Sequence, residues 1–205
     1  MTTHFMTNTP VPQGFGPDAG ERMPPIGNER MTPEQRTAAD ALIAGPRKAV
    51  FGPFVPLLRN PALMDRVGAV GEALRYRGTL PDALRELAIC IAARHVSNQF
   101  EWLMHKPLAA KAGVSGAALD AIATGRQPRG LPPEQATVAD FAQELLLRNG
   151  VSDATYAEAT ALLGEAGVVE LVTLLGYFVM VSWVMNVART PGTPNGNAPI
   201  AAYPF

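Results

Sequence analysis

The stretch Asp82–Ala112, DALRELAICIAARHVSNQFEWLMHKPLAAKA, constrains this chain more than any other. Leu84, Leu87, Ala88, Ile91 and Ala92 recur at helical spacing, which predicts a helix over about residues 82–97. Ser97-Asn98-Gln99 reads as a joint, and a second helix carries Glu101 to Ala112. Glu86, Glu101 and His105 nevertheless fall inside these apolar-faced helices. Carboxylates and an imidazole are costly to bury unless each finds a partner or serves a purpose. Glu101 and His105 stand one turn apart on one face, and a hairpin of the two helices would bring Glu86 to the same ring. A carboxylate bonded to one ring nitrogen fixes the tautomer and raises the pKa of the other nitrogen. That makes His105 a candidate general acid/base. A Glu–His pair at this spacing is also a common polar pair on a helix face. The apolar surroundings and the lack of a competing cluster favour chemistry.

The remainder reads as helices separated by firm breaks. Thr32 caps a helix opening at Pro33 and ending at Gly45-Pro46, and Asn60 caps another from Pro61 to about Tyr76. Between them AVFGPFVPLLRN carries Pro53 and Pro56, so an irregular buried loop able to line a cavity is expected there. Gly113 ends the second helix of the central pair, and Ser115 caps a short helix to about Thr124. Pro132-Pro133 opens a helix to Arg148, and Ser152 caps the next, to about Leu163. Gly164 to Gly167 breaks the chain before a long apolar helix ending near Ala188. No segment alternates in the manner of a strand, so the fold class is all-α with about eight helices. Residues 1–30 read as a flexible or extended arm, 31–189 as one domain and 190–205 as a tail.

Composition excludes several classes. A net charge of −1 without basic runs argues against nucleic acid. A single cysteine, Cys90, excludes an intrachain disulfide and any cysteine-pair metal site; mid-helix, it reads as a small core residue. The run Val168–Val187 approaches the length of a membrane span but contains Glu170, Thr173, Gly176, Ser182 and Asn186, so a buried core helix is expected and no membrane. The first residues lack a signal-peptide pattern, which gives a cytoplasmic expectation. Only 17% of residues are charged, a hint of burial between subunits.

From Glu86 it is twelve residues to Asn98, three more to Glu101 and four more to His105. This pattern resembles the carboxymuconolactone decarboxylase and alkylhydroperoxidase D superfamily, an all-α fold. The peroxidase branch has cysteines where Asn98 and Glu101 stand here, so its thiol–disulfide chemistry is excluded. The decarboxylase branch fits better, through Glu101, His105, Ala109, Gly113 and the run Arg85-Glu86-Leu87. The resemblance covers about residues 45–125, and the late helix with VMNVARTP is similar to a larger subgroup of that family. It implies a homo-oligomer, trimeric or hexameric, acting without a cofactor on a small carboxylated lactone from aromatic ring cleavage.

Under that reading His105 moves the proton, with Glu86 and Glu101 completing the catalytic set. Arg94, Asn98, Trp102 and Asn186 are the candidate substrate-binding residues. Arg85, next to Glu86 on the helix, points about 100° away and is expected at the surface. Tyr177, Trp183 and the Phe51–Phe54 loop could complete the cavity. Two alternatives stay open: a divalent metal held by Glu86, Glu101 and His105, and a catalytically silent ligand-binding or structural oligomer.

Overall fold

A computed structural model describes residues 11–13, 20–194 and 196–200. Among them stand eight α-helices and a single 3-10 turn at Asn28–Arg30. The helices are α1 (Pro33–Ala44), α2 (Phe54–Leu57), α3 (Pro61–Tyr76), α4 (Asp82–His95), α5 (Gln99–Lys111), α6 (Gly116–Ala123), α7 (Pro133–Arg148) and α8 (Asp153–Ala188). The expected caps form. Thr32 and Gln35 make a reciprocal capping box, and the side chains of Asn60, Ser115 and Ser152 each accept a backbone N–H of the first turn, as does Asn98, which the sequence reads only as a joint.

The fold is built around α4. The sequence assigns it one apolar face, yet Ile89, Cys90 and Ala93 are as fully buried as Leu87 and Ala88. α5, α6, α7 and α8 surround it, which explains burial on every side. Cys90 is a core residue, its thiol pushed far up by burial and by the Glu86 charge. With α4 enclosed, the charged groups it carries must be satisfied inside the protein.

Two local readings change. The 49–60 segment is not wholly irregular, because α2 forms one turn across Pro56. A proline in the first turn removes an N–H that has no intrahelical acceptor there, so the ring is tolerated. The break before the late helix narrows to Gly164, at φ 69°, and helical structure resumes at once. α8 is long and apolar enough to cross a membrane by length and composition, but 56% of its most apolar window is buried inside the protein. Glu170, on α8, accepts from the backbone N–H groups of Thr79 and Leu80 at 2.9 and 3.1 Å and from the Thr79 hydroxyl at 2.7 Å. Those bonds hold its carboxyl below the usual range against the opposing effect of burial, and they tie α8 to the start of α4.

Residues 11–13 and the segment after α8 meet on the protein itself. Val11 bridges to Gly192, and Gln13 donates to the Ser97 carbonyl at 3.0 Å while accepting from the Gln99 N–H at 2.6 Å. Gln99 in turn bonds Ile200 through both its amide atoms. The expected N-terminal arm therefore packs at residues 11–13 against the α4–α5 joint. Its residues 1–10 and 14–19, and tail residues 195 and 201–205, lie outside the described residues.

Candidate active site

α4 and α5 pack as the hairpin the sequence implies, and the polar groups converge. His105 Nδ1 lies 2.6 Å from Glu86 Oε2, and Nε2 lies 3.2 Å from Glu101 Oε2. All three side chains are buried, at 3–5% exposure. The Phe178 ring of α8 meets the imidazole edge-on at 5.1 Å between centroids. Burial pushes the imidazole toward its neutral form, and the hydrogen bonds and charges of Glu101 and Glu86 outweigh it, so its pKa stands above the ordinary value. Burial likewise opposes ionisation of Glu86, but the bond to His105, its charge and nearby Arg85 and Arg75 hold the carboxyl below the usual range. The favoured state is thus an imidazolium donating one N–H to each of two carboxylates.

Arg85 departs from the expected surface position. Its side chain is only 15% exposed, because the long stem folds back to place Nε 3.3 Å from Glu86 Oε1 and a terminal nitrogen 2.9 Å from Asp82. Glu86 therefore has a cation on each carboxylate oxygen.

The four residues read as substrate-binding do not face this ring. Asn98 caps α5 by accepting the Glu101 N–H at 2.8 Å, and its amide donates to Asn186 Oδ1 at 2.8 Å and to the Ser182 carbonyl at 3.3 Å. Asn186 donates onward to the Val96 carbonyl at 2.8 Å. The two asparagines are a clamp between the α4–α5 joint and α8, and Asn98 holds the Glu101 backbone beside His105. Trp102 is fully buried with its indole N–H on the Ala198 carbonyl at 3.2 Å, so it anchors the C-terminal segment. Arg94, just over two turns beyond Glu86, lines a separate cavity with Ile91, His95 and Arg126. Proximity in sequence to Glu86 is what misplaces it.

The cavity beside His105 recruits other residues. Glu101, His105, Arg47, Arg75 and Tyr177 line it, walled by Phe51, Phe54 and Phe100. Glu86 is not among its lining residues, so the Nε2 edge of the ring, on the Glu101 side, is the one turned to the cavity. The space is about 30 Å³, roughly the volume of one water. Tyr177 and the Phe51–Phe54 segment occupy the wall the sequence assigns them, whereas Trp183 is 59% exposed.

Arg47 and Arg75 escape a reading of the sequence. Arg47 follows the Gly45-Pro46 break, where a basic residue looks solvated, yet its side chain is 2% exposed. It pairs with Glu72 at 2.9 Å, donates to the Gly68 carbonyl at 3.0 Å and stacks 4.6 Å over the Phe54 ring. Arg75 had a weak signal, since it falls one turn after Gly71 on the buried face of α3. Gly71 itself has a steric role: a Cβ there would run into the Tyr177 hydroxyl and the Arg47 guanidinium. Burial pushes the Tyr177 phenol up to about 12, only partly offset by Arg47, so it stays a neutral donor.

A metal reading loses its support in this geometry. Each imidazole nitrogen already meets a carboxylate, and among the described residues no group of three or more His, Cys, Asp or Glu is placed to hold an ion.

Residues 61–144 match the model of the carboxymuconolactone decarboxylase family, a span that contains Glu86, Asn98, Glu101 and His105. No curated protein sequence matches the chain. Among solved structures it is similar to an alkylhydroperoxidase AhpD core, an uncharacterized peroxidase-related protein from Ralstonia eutropha. That alignment has 16% identity and a TM-score of 0.70, covering 87% of this chain and 97% of the other. The debrominase Bmp8, solved with 2,3,4-tribromopyrrole, aligns at 11% identity and a TM-score of 0.62, over 82% and 89% of the two chains. A protein of unknown function from Agrobacterium tumefaciens aligns at 12% identity and 0.56, over 66% and 94%. At these identities the structural likeness speaks for the fold, which is the all-α alkylhydroperoxidase D-like one. The family match across α3 to α7 and the shared fold together support the superfamily resemblance carried by Glu86, Asn98, Glu101 and His105.

Proposed function

We propose that this protein is a cytoplasmic, homo-oligomeric enzyme that moves a proton on a small carboxylated lactone or related acid through His105. The observation that carries the reading is the buried imidazole between two carboxylates, with its Nε2 edge toward a cavity that also holds two arginines. One carboxylate would satisfy an imidazolium and burying a second adds a further desolvation cost, which favours a chemical reason for the pair.

The chemistry follows from the charges. In decarboxylation the bond from carbon to the departing carboxylate breaks, and its electron pair moves into the unsaturated ring of the substrate. His105 then delivers its Nε2 proton to the carbon that has gained electron density. Glu86 keeps the Nδ1–H engaged throughout, fixing the ring plane and stabilising its charge in the protonated state. Glu101 gives way at Nε2 to the substrate and is positioned to take up or return the proton. Arg75 and Arg47 supply the cationic side that the α4–α5 sequence alone lacks, and a carboxylate is the matching group. The same parts serve an isomerisation in which His105 returns the proton at a second carbon.

A cavity of about 30 Å³ admits no such acid as it stands. Entry requires the aromatic wall to move, at Phe51 and Phe100, whose rings lie 6.2 Å apart. Gly52, at φ 56° directly under the Phe100 ring, holds that wall where no side chain would fit. The small size of the cavity is also the observation that favours the second reading, a catalytically silent protein whose triad is structural.

Turnover of a panel of carboxylated lactones and unsaturated acids separates the two. Arg75→Gln is expected to raise KM about 10- to 100-fold for carboxylated substrates, the loss of one charge-assisted hydrogen bond, with little change for their neutral esters. No turnover across the panel by a folded wild-type protein would favour the silent reading.

A further inference from the structure

α8 presents a second surface, unrelated to the reaction, and its pattern names its own occupant. From Gly167 to Ala188 its exposed residues are Val169, Val172, Thr173, Gly176, Met180, Trp183 and Val187. None is charged. Six of them, leaving out Val172, follow one another at intervals of four, three, four, three and four residues, a strict heptad seam. A helix that only covers a core needs an apolar face toward that core, and α8 has one in Leu171, Leu174, Leu175, Phe178, Val181 and Met185. A second apolar seam of period 3.5 on the solvent side is the pattern of a helix that packs against another helix.

The size distribution along the seam identifies the other helix. Between the flanking Val169 and Val187, its N-terminal half is small, Thr173 and Gly176, and its C-terminal half is large, Met180 and Trp183. Val169 and Val187, Thr173 and Trp183, and Gly176 and Met180 are each equidistant from Phe178. Laid antiparallel on a copy of itself about that point, the helix therefore sets Trp183 opposite Thr173 and Met180 opposite Gly176, with Val169 against Val187 at each end. Parallel pairing would stack Trp183 on Trp183 and leave Gly176 facing Gly176 across a void. The groove beside the small half, between α3 and α8, has a volume of about 410 Å³ and is lined by Val67, Val70, Thr173, Gly176, Tyr177 and Met180. It lies where the large half of the opposing helix would come.

We infer that α8 is an isologous interface, on which a second copy of this chain docks its own α8 antiparallel about Phe178. The seam is about 27 Å long at 1.5 Å per residue. With the α3 flank, where Leu63 and Val70 are 48% and 42% exposed, it offers on the order of 500 Å² per copy, near the roughly 1,000 Å² total that a specific interface requires. Tyr177 lines both this groove and the His105 cavity, so the docked copy backs a wall of the candidate active site.

The test is oligomeric mass by light scattering on the full chain, with directed crosslinking. The wild type is expected to form an assembly with an even number of copies. Trp183→Glu and Gly176→Lys should each halve that mass while the helical circular dichroism is kept. Gly176 is chosen because nothing lies within 4 Å of an added Cβ and any residue there improves on glycine as a helix former. On mixing, the Gly176→Cys and Met180→Cys proteins should crosslink to each other and neither to itself; buried Cys90 does not interfere. A monomeric or odd-numbered wild type, an unchanged mass in both charge variants, or self-crosslinking of Gly176→Cys would overturn the inference. So would wild type that stays monomeric and co-sediments with phospholipid vesicles, since the seam would then face lipid.

Discussion

His105→Ala is expected to destabilise the protein by about 3–5 kcal/mol, the cost of leaving a buried charge without its partner. At roughly 2–4 °C per kcal/mol for a chain of this size, the melting temperature should fall by roughly 10 °C. The reason lies in what remains. Glu86 keeps Arg85 on one oxygen, but Glu101 and the second oxygen of Glu86 lose the group they face at 3.2 and 2.6 Å. Deleting the imidazole therefore exposes two carboxylates to an apolar surround instead of removing one polar group.

The pH dependence of that loss has a definite sign. His105 has its pKa raised in the folded state, so its contribution is complete below its unfolded value of 6.5 and is lost as pH rises through the higher folded value. Glu86 has its pKa lowered, so its contribution is present above 4.5 and is lost as pH falls through the lower folded value. Wild-type stability from this pair should thus peak between 4.5 and 6.5. In His105→Ala the carboxyls can relieve their burial by taking up protons, so the gap between the two proteins should be smallest near or below pH 4.5 and widen toward 6.5. Urea denaturation at a series of pH values measures it. A gap that does not change with pH would mean the imidazole is held by packing alone.

Glu86→Gln carries the second large effect, on activity. The amide keeps the shape and can still accept one hydrogen bond at Nδ1, so the fold should survive. The charge that favours the imidazolium is gone, however, and the His105 pKa should fall toward its ordinary value. Turnover on whichever acid of the panel is accepted should drop about 10²- to 10⁴-fold at neutral pH, the range spanned by a single positioned acid or base. Because the remaining proton donor is present only at lower pH, the rate profile should also shift to the acid side. A uniform loss at every pH, with no shift, would assign Glu86 a packing role.

Much of this was legible in the chain, and the pattern of what was not has a physical basis. Helix limits set by local chemistry, such as Thr32, Asn60, Gly113 and Ser152, lie where capping and positive φ require them. The meeting of Glu86, Glu101 and His105 was also readable, because a hairpin of adjacent helices is a short-range event and buried charge demands a partner. Arg94 and Trp102 lie away from the His105 cavity, because nearness in sequence does not say which side of an enclosed helix a side chain leaves from. Asn98 and Asn186 lie near the expected region, with their amides on each other and on backbone groups. An N-cap and an amide with a buried partner look alike from sequence, whether they bind substrate or backbone. Arg47 comes from the connection between α1 and α2 and Arg75 from α3, and only tertiary packing brings them to the ring. Pro56 shows the limit of a rule applied without position, since proline is excluded from a helix interior but not from its first turn.

The central claim is that His105 is held as a protonated donor between two carboxylates, and nitrogen-detected NMR of the imidazoles tests it directly. The chain has three histidines, and His95, whose pKa burial pushes down, serves as an internal reference. The His105 ring should keep both nitrogens protonated at pH 6.5 and titrate above that value, while His95 titrates below it. In Glu86→Gln the His105 titration should move down. A neutral His105 ring at pH 6.5, titrating alongside His95, would contradict the account.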